Sequence, residues 1–337
     1  MFDCLLFIVG WWDCSVGLSG ALEFGICSFG ILKIMVNITH KSTTLRQAVA
    51  VGVVKVSKQE TIDAVLNRQV PKGDVFEFSR AAGLIAVKKT WEAVPDCHPL
   101  PVEFTSITHE VNGLEIQIRV EVHTVYKTGV EVEAMHGVMI TALTMYDMLK
   151  PIDKEIEIGS IRLEKKKGGK SDIKYAYPET VKCAIITCSD SVSRGLNPDK
   201  SGDVIAQRLE KHGLKADYRE AIADEFEEIQ SKAKQLRDEG FDLILFTGGT
   251  GLSPRDVTPD ALRPLIERDV PGLMEAARNY GQQRTPYAML SRGIAGFAGD
   301  SLIITLPGSP RGAEETMDAV FPYILHVFRV KEGVRHN

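Results

Sequence analysis

Thr247-Gly248-Gly249-Thr250-Gly251 follows directly on the apolar run Leu243-Ile244-Leu245-Phe246, and Asp256-Val257-Thr258-Pro259-Asp260 comes next. The apolar run reads as a buried strand. A strand that ends in a glycine-rich turn before a helix start is where open α/β sheets hold phosphates. The turn lacks the lysine of a P-loop and the spacing of a dinucleotide fingerprint, so it is neither of those sites. Gly248, Gly249 and Gly251 let backbone N–H groups approach an anion closely. A plain tight turn is the competing reading for the glycines alone.

The surrounding pattern extends this reading. Strands are expected at 181–188, 215–223, 243–246 and 301–306. Helices are expected at 202–212 and 225–239, after Pro259 and Pro271, and finally from about Gly312. This alternation predicts a three-layer, doubly wound α/β domain with a largely parallel sheet. Its strand ends carry Ser189-Asp190-Ser191, the glycine turn and Pro307-Gly308-Ser309-Pro310, three loops expected to converge on one crevice. Asp224 and Asp256 are expected at the same edge, where two carboxylates would bind Mg²⁺ and bring a triphosphate to a nucleophile. Asp260 suits the helix start at Pro259. Asp190 reads equally as a site residue and as a turn former.

The first half has a different rhythm. Asp74-Val75-Phe76-Glu77 resembles a capping box and opens a helix to about Val94, with Ala81, Ala82, Ile85 and Trp91 expected on its inner side. Runs at 102–111 and 114–125 alternate and flank Asn112-Gly113, a strong hairpin signal. A helix is expected from about Glu133 to Leu149. The order predicts an α+β domain, an antiparallel sheet with helices on one face. Lys72 beside a helix start favours anions, and His98 sits in a loop pinned by Pro95, Pro99 and Pro101. Glu131 and Glu133, two apart, would share a face if extended; a solvated charged face competes. Asp147 and Lys150 are helical neighbours, for which a surface ion pair is the plain alternative.

These residues carry a resemblance. Lys72-Gly73-Asp74-Val75, Asp96-Cys97-His98-Pro99-Leu100, 127–134, 142–148 and Gly168-Gly169-Lys170-Ser171 resemble the MoaC family, cyclic pyranopterin monophosphate synthase, over essentially all of 35–172. The resemblance implies rearrangement of 3′,8-cyclo-7,8-dihydro-GTP to a pterin with a cyclic phosphate, releasing pyrophosphate. It also implies a ferredoxin-like fold and a homohexamer with sites at subunit contacts. On this resemblance the catalytic groups are Asp147, Lys150 and Lys72, and the substrate-binding ones Asp96, Cys97, His98, Glu131, Val132 and Glu133. Asp96 departs from the apolar residue common in the family. Lys72, Lys150 and His98 would together offset a triphosphate's charge. Lys150 would lower the pKa of Asp147 and serve as its acid partner.

The second half resembles the MoaB/Mog group through Ser189-Asp190-Ser191, 199–202, Thr247–Gly251, Asp256–Asp260, Leu290-Ser291-Arg292-Gly293 and 306–310. That group's functional aspartates fall on Asp224 and Asp256, as catalytic and metal residues. Substrate contacts are expected at Ser189, Asp190, Thr247, Gly248, Gly249, Thr250, Gly251, Ser291, Pro307, Gly308 and Ser309. The resemblance implies molybdopterin binding and, with Mg²⁺ and ATP, adenylylation that releases pyrophosphate. A non-catalytic pterin-binding or oligomerisation module is the alternative. Sulfur insertion separates the two implied reactions, so channelling between the halves is not expected.

The chain's 337 residues allow two domains, and its net charge of -5 argues against a broad nucleic-acid surface. The six cysteines form no Cys-x-x-Cys pair and no zinc spacing, which fits free thiols in a reducing cytoplasm. The expected partners are therefore small molecules and further copies, a hexamer or a trimer-based assembly, with no nucleic acid and no membrane. The expected organisation is 1–34, a non-native or disordered extension; 35–172; a linker at 173–179, adjoining the basic, glycine-rich stretch 165–172; and 180–333. Residues 1–34 are rich in Phe, Leu, Trp and Gly, but Asp3, Asp13 and Glu23 argue against a signal or a spanning helix.

Overall fold

The computed structural model describes residues 35–169 and 181–331, with side chains to 328. The expected extension at 1–34, the 173–179 linker and the Lys170-Ser171 pair lie outside the described residues.

The first half runs β1 (Thr44–Lys55), α1 (Gln59–Leu66), α2 (Val75–Lys88), α3 (Thr90–Ala93), β2 (Phe104–Asn112), β3 (Glu115–Tyr126), α4 (Glu131–Leu149) and β4 (Glu157–Lys167). Its sheet order is β2-β3-β1-β4, with every neighbouring pair antiparallel. β1 and β2 are therefore parallel with β3 between them, and β3 and β4 parallel with β1 between them. This is two interleaved split βαβ units. Neither β1 nor β4 was anticipated. Lys165–Lys167, read as the start of a linker stretch, pair instead with Val49, Ala48 and Gln47 of β1.

The α2 helix starts as its cap predicts: the Asp74 carboxylate accepts from the Glu77 N–H at 3.1 Å. Its phase is a correction. Val75, Ser79, Gly83, Ala86 and Val87 face inward, while Ile85 and Trp91 are exposed. The reason is close packing on α4. A methyl group on Gly83 would lie 2.2 Å from Thr141 Oγ1, so small residues, not the large ones, mark the contact face. The Asn112-Gly113 hairpin forms as expected, Gly113 having φ +57.

The second half runs β5 (Cys183–Cys188), α5 (Asp190–Ser193), α6 (Lys200–Glu210), β6 (Ala216–Ile222), α7 (Phe226–Asp238), β7 (Leu243–Thr247), α8 (Thr258–Leu262), β8 (Arg268–Asp269), α9 (Pro271–Gln282), β9 (Ala295–Ala298), β10 (Ser301–Leu306), α10 (Pro310–Val320) and α11 (His326–Lys331). The sheet order is β6-β5-β7-β10-β9-β8. β6, β5, β7 and β10 are parallel, and the unanticipated β9 is antiparallel. β5, β7 and β10 are buried along their whole length. That requires cover on both faces. One face carries Ile205, Leu209, Met274 and Met317; the other carries Ile229, Leu236 and Leu262. Three layers result, as expected. The helix from Pro310 is not the last, since α11 follows. Among the described residues, no helix is long and apolar enough to cross a membrane.

Candidate functional site

At the C-terminal end of α4, Asp147 meets both lysines expected beside it. Lys150 Nζ lies 2.7 Å from Oδ1, and Lys72 Nζ lies 2.7 Å from Oδ2 and 2.9 Å from the Asp147 carbonyl. Lys72 gets there because the turn before α2, with Gly73 at φ +106, brings it to the end of α4. The hydrogen bond from Lys150, then that from Lys72, pulls the Asp147 pKa down to about 2. All three side chains are half-exposed, so solvent screens the triad and it adds little to stability.

At the other end of α4, Cys97 donates to Glu133 Oε1 at 3.1 Å. Glu133 is buried, and its second oxygen has no partner. Burial raises its pKa. Burial also pushes the Cys97 thiol up to about 12, helped by the Glu133 carboxylate, so at neutral pH it is a thiol and not a nucleophile. Glu131 folds back over Gly129 and pairs with Lys166 of β4. His98 is half-buried in the same loop as Cys97, and Asp96 is exposed. Val132 lies on the outer face of α4, 44% exposed.

One expectation fails here. Glu131 and Glu133 are helical, not extended, so their side chains leave α4 in nearly opposite directions and take different partners. The expected residues of the first half also lie toward the two ends of α4. Glu133 and Asp147 are separated by fourteen residues of one helix, about 21 Å at the helical rise. Lys72 and Lys150 therefore lie toward the opposite end of α4 from the Cys97 contact. Lys166 was missed because the lysine run around it read as linker.

In the second half, the loops after β5, β6 and β7 do meet. Gly248 and Gly249 have φ +104 and +60. A methyl group on Gly249 would lie 2.3 Å from Thr258 Oγ1 and 3.0 Å from Asp224 Oδ1. Asp224 Oδ1 is buried without a partner. Burial raises the Asp224 pKa, and the charges of Asp190 and Asp256 add to it. Asp190 accepts from the Asp224 N–H at 3.3 Å and pairs with Arg255, which also holds Glu225 at 3.0 Å. Asp190 is thus a member of this cluster as well as the first residue of α5. Asp256 accepts from the Ser253 N–H at 2.7 Å. Among the described residues, no group of three or more His, Cys, Asp or Glu is placed to hold a metal alone.

The glycine turn does not face one crevice. A cavity of about 310 Å³ on one side is lined by Ser189, Thr247, Gly248, Gly249 and Gly308. A larger one, about 430 Å³, is lined by Thr250, Gly251, Ser291, Pro307 and Ser309, together with apolar groups such as Met274. The expected contact residues other than Asp190 are thus divided between two cavities. Arg255 and Arg292, both bonded to this loop set, were assigned no role from sequence. The motif around Arg292 was visible, but its contacts depend on the fold.

Two family models match the chain: the MoaC family over residues 35–169 and the "probable molybdopterin binding domain" over residues 184–326. A molybdenum cofactor biosynthesis bifunctional protein of Chlorobaculum tepidum is 37% identical across 90% of this chain and 96% of its own. The chain belongs to that bifunctional family. A second such protein, from Synechococcus elongatus, is 35% identical across 90% of this chain and 99% of its own. The MoaC part alone is 46% identical to a cyclic pyranopterin monophosphate synthase of Clostridium perfringens, over 41% of this chain and 88% of that one. The crystal structure of a molybdopterin biosynthesis enzyme MoaB from Thermus thermophilus is 42% identical, covering 47% of this chain and all of that chain with a TM-score of 0.44.

Proposed function

We propose that the chain performs two separate steps of molybdenum cofactor biosynthesis. Its MoaC half converts 3′,8-cyclo-7,8-dihydro-GTP to cyclic pyranopterin monophosphate and pyrophosphate. Its second half binds molybdopterin and joins it to the adenylyl group of ATP, releasing pyrophosphate.

The observation that carries the first reading is α4. Beyond its core face it exposes Val132, Met139, Leu143 and Tyr146, which fall on one narrow stripe at helical spacing. An antiparallel copy of α4 packed there, centred near Met139, would bring the Asp147 end of one chain to the Glu133 end of the next. That supports a site built from two copies in a homo-oligomer, compatible with a hexamer. In it Lys72 and Lys150 bind the substrate's phosphates. As the phosphates draw the two ammonium groups away, the Asp147 pKa rises from about 2 toward its ordinary value and the carboxylate becomes a competent base. Glu133, with its raised pKa, supplies or holds a proton at the pterin side, and the Cys97 thiol keeps it oriented.

The test is complementation. Asp147→Asn and Glu133→Gln chains are each expected to be inactive while folded. Mixed equally from denaturant, they should regain about a quarter of wild-type turnover, because half the pairs are mixed and each mixed pair has one intact site. A mixture as inactive as its parents would end the shared-site reading.

For the second half, the unpartnered Asp224 oxygen, with Asp256 and Asp190 near enough to raise its pKa, fits a divalent cation. Mg²⁺ held by Asp224 and Asp256 would neutralise charge on the triphosphate. The smaller cavity, lined by Gly248 and Gly249, suits phosphates, although the Gly248 N–H itself donates to the Leu306 carbonyl at 3.1 Å, and the larger, more apolar one suits a pterin. Ser189 lines the smaller cavity and Ser309 the larger, each with a hydroxyl that also caps a helix. Pyrophosphate release from ATP in the presence of molybdopterin tests this, with Asp224→Asn expected to abolish it. A second reading rests on Leu252, Tyr287 and Met289, 66%, 75% and 55% exposed, of which Leu252 and Tyr287 line the larger cavity. They favour a contact between copies, and pterin binding without turnover would support a module that only binds and assembles.

A further inference from the structure

Arg292 uses every nitrogen of its guanidinium on one loop system. Nε donates to the Gly251 carbonyl at 2.8 Å, Nη1 to both Asp260 oxygens at 3.1 and 3.0 Å, and Nη2 to the Asp256 carbonyl. Its own backbone N–H donates to the Thr250 carbonyl at 3.0 Å. One residue therefore ties the end of the glycine turn, the backbone of Asp256 and the start of α8. Arg292 also follows Ser291 at the wall of the larger cavity, whereas Asp256 faces the carboxylate cluster. A planar fork with five donors on three nitrogens reaches four acceptor oxygens of three residues here; an ammonium has only three donors, all on one nitrogen.

We propose that Arg292 is a positioning residue that fixes Asp256 relative to Asp224 and holds the pterin-side wall in register with the phosphate-side turn. Arg292 is not a substrate contact in this scheme. It acts through the backbone at Gly251 and Asp256, whose carbonyls would otherwise lose their donors. The assignment rests on the adenylyl-transfer reading of this site for its consequence, but not for its geometry. Misplacing a reacting group by about 1 Å costs on the order of a hundredfold in rate, and the supporting contacts of a site set that tolerance.

The test compares Arg292→Lys with wild type in the full chain by three readouts. Amide hydrogen exchange should quicken in residues 248–260 while the rest of the second sheet keeps its protection. Mn²⁺ binding in the presence of a non-hydrolysable ATP analogue, followed by electron paramagnetic resonance, should weaken by about tenfold or more. Turnover should fall by about a hundredfold through kcat, with KM for molybdopterin little changed. Asp260→Asn, which removes the negative charge and one of the two acceptor oxygens, should move all three in the same direction by less, and it decides the question if Arg292→Lys does not fold. Wild-type exchange in 248–260 together with wild-type Mn²⁺ affinity, in whichever variant folds, would overturn the assignment. A wild-type chain that forms no adenylylated product would instead end the transfer reading and leave the exchange and Mn²⁺ measurements to judge Arg292.

Discussion

In the MoaC half, Asp147 and Glu133 sit on one helix about 21 Å apart, each with its own lysine or thiol partner. In the second half, Asp190, Asp224 and Asp256 come from three separate segments of chain, yet the charges of Asp190 and Asp256 both raise the Asp224 pKa, and Asp190 accepts from the Asp224 N–H. Residues close in sequence are thus kept apart by a rigid helix, while residues far apart are gathered at the carboxyl edge of a parallel sheet. On the proposed reading, another chain completes the first arrangement, while the second lies within one.

That difference can be broken most severely at Leu143, 54% exposed in the middle of the α4 stripe. Leu143→Glu would place a charge in the apolar contact proposed between copies while leaving the core face of α4 untouched. The expected result is a smaller particle by sedimentation, synthase turnover lost, and the second half's pterin binding unchanged. An assembly that survives with full synthase activity would remove α4 from the interface.

A milder break lies at Gly249. Alanine there must adopt φ +60 and meet Thr258 Oγ1 and Asp224 Oδ1. The strain is worth roughly 1–3 kcal/mol. The second half should melt earlier and lose affinity for ATP, while complementation between Asp147→Asn and Glu133→Gln chains proceeds as before. Unchanged ATP binding in Gly249→Ala would show that the turn does not need its bare backbone.

The same contrast governs what could be read beforehand. β5, β7 and β10 are continuous apolar runs, and a parallel core strand needs nothing else to be recognised. Asp147 with Lys150, and Asp74 with Glu77, follow from helical spacing and capping, which are local. β1 and β4 escaped because one is a mixed run around Gly52 and the other is mostly exposed and basic. The inner face of α2 escaped because Gly83 marks it by the absence of a side chain. Glu131 and Glu133 were placed on one face because the start of α4 was set two residues late. The division of the first site, and the roles of Lys166, Arg255 and Arg292, depend on which elements pack together, and no spacing encodes that.

The smallest expected effect concerns a carboxylate in the MoaC half that serves structure alone. Asp153 is buried, and it accepts from Ser57 N at 2.8 Å, Ser57 Oγ at 2.7 Å, Thr61 Oγ1 at 3.0 Å and Glu155 N at 3.1 Å. It thereby pins the start of α1 to the approach of β4. Burial alone would raise its pKa, but the four donors outweigh that and the net shift is downward from 3.8. A carboxylate whose folded pKa lies below its unfolded one stabilises the fold above the unfolded value and loses that contribution as pH falls through the folded one. Asp153→Ala should therefore cost roughly 1–3 kcal/mol at pH 7, measured by urea unfolding, with the gap to wild type closing in acid below about pH 3.8. Synthase turnover per folded molecule should stay near normal. A large loss of turnover with little loss of stability would mean that the Asp147 end of α4 depends on the loop Asp153 anchors, and that the helix alone does not hold the two ends of the first site in place.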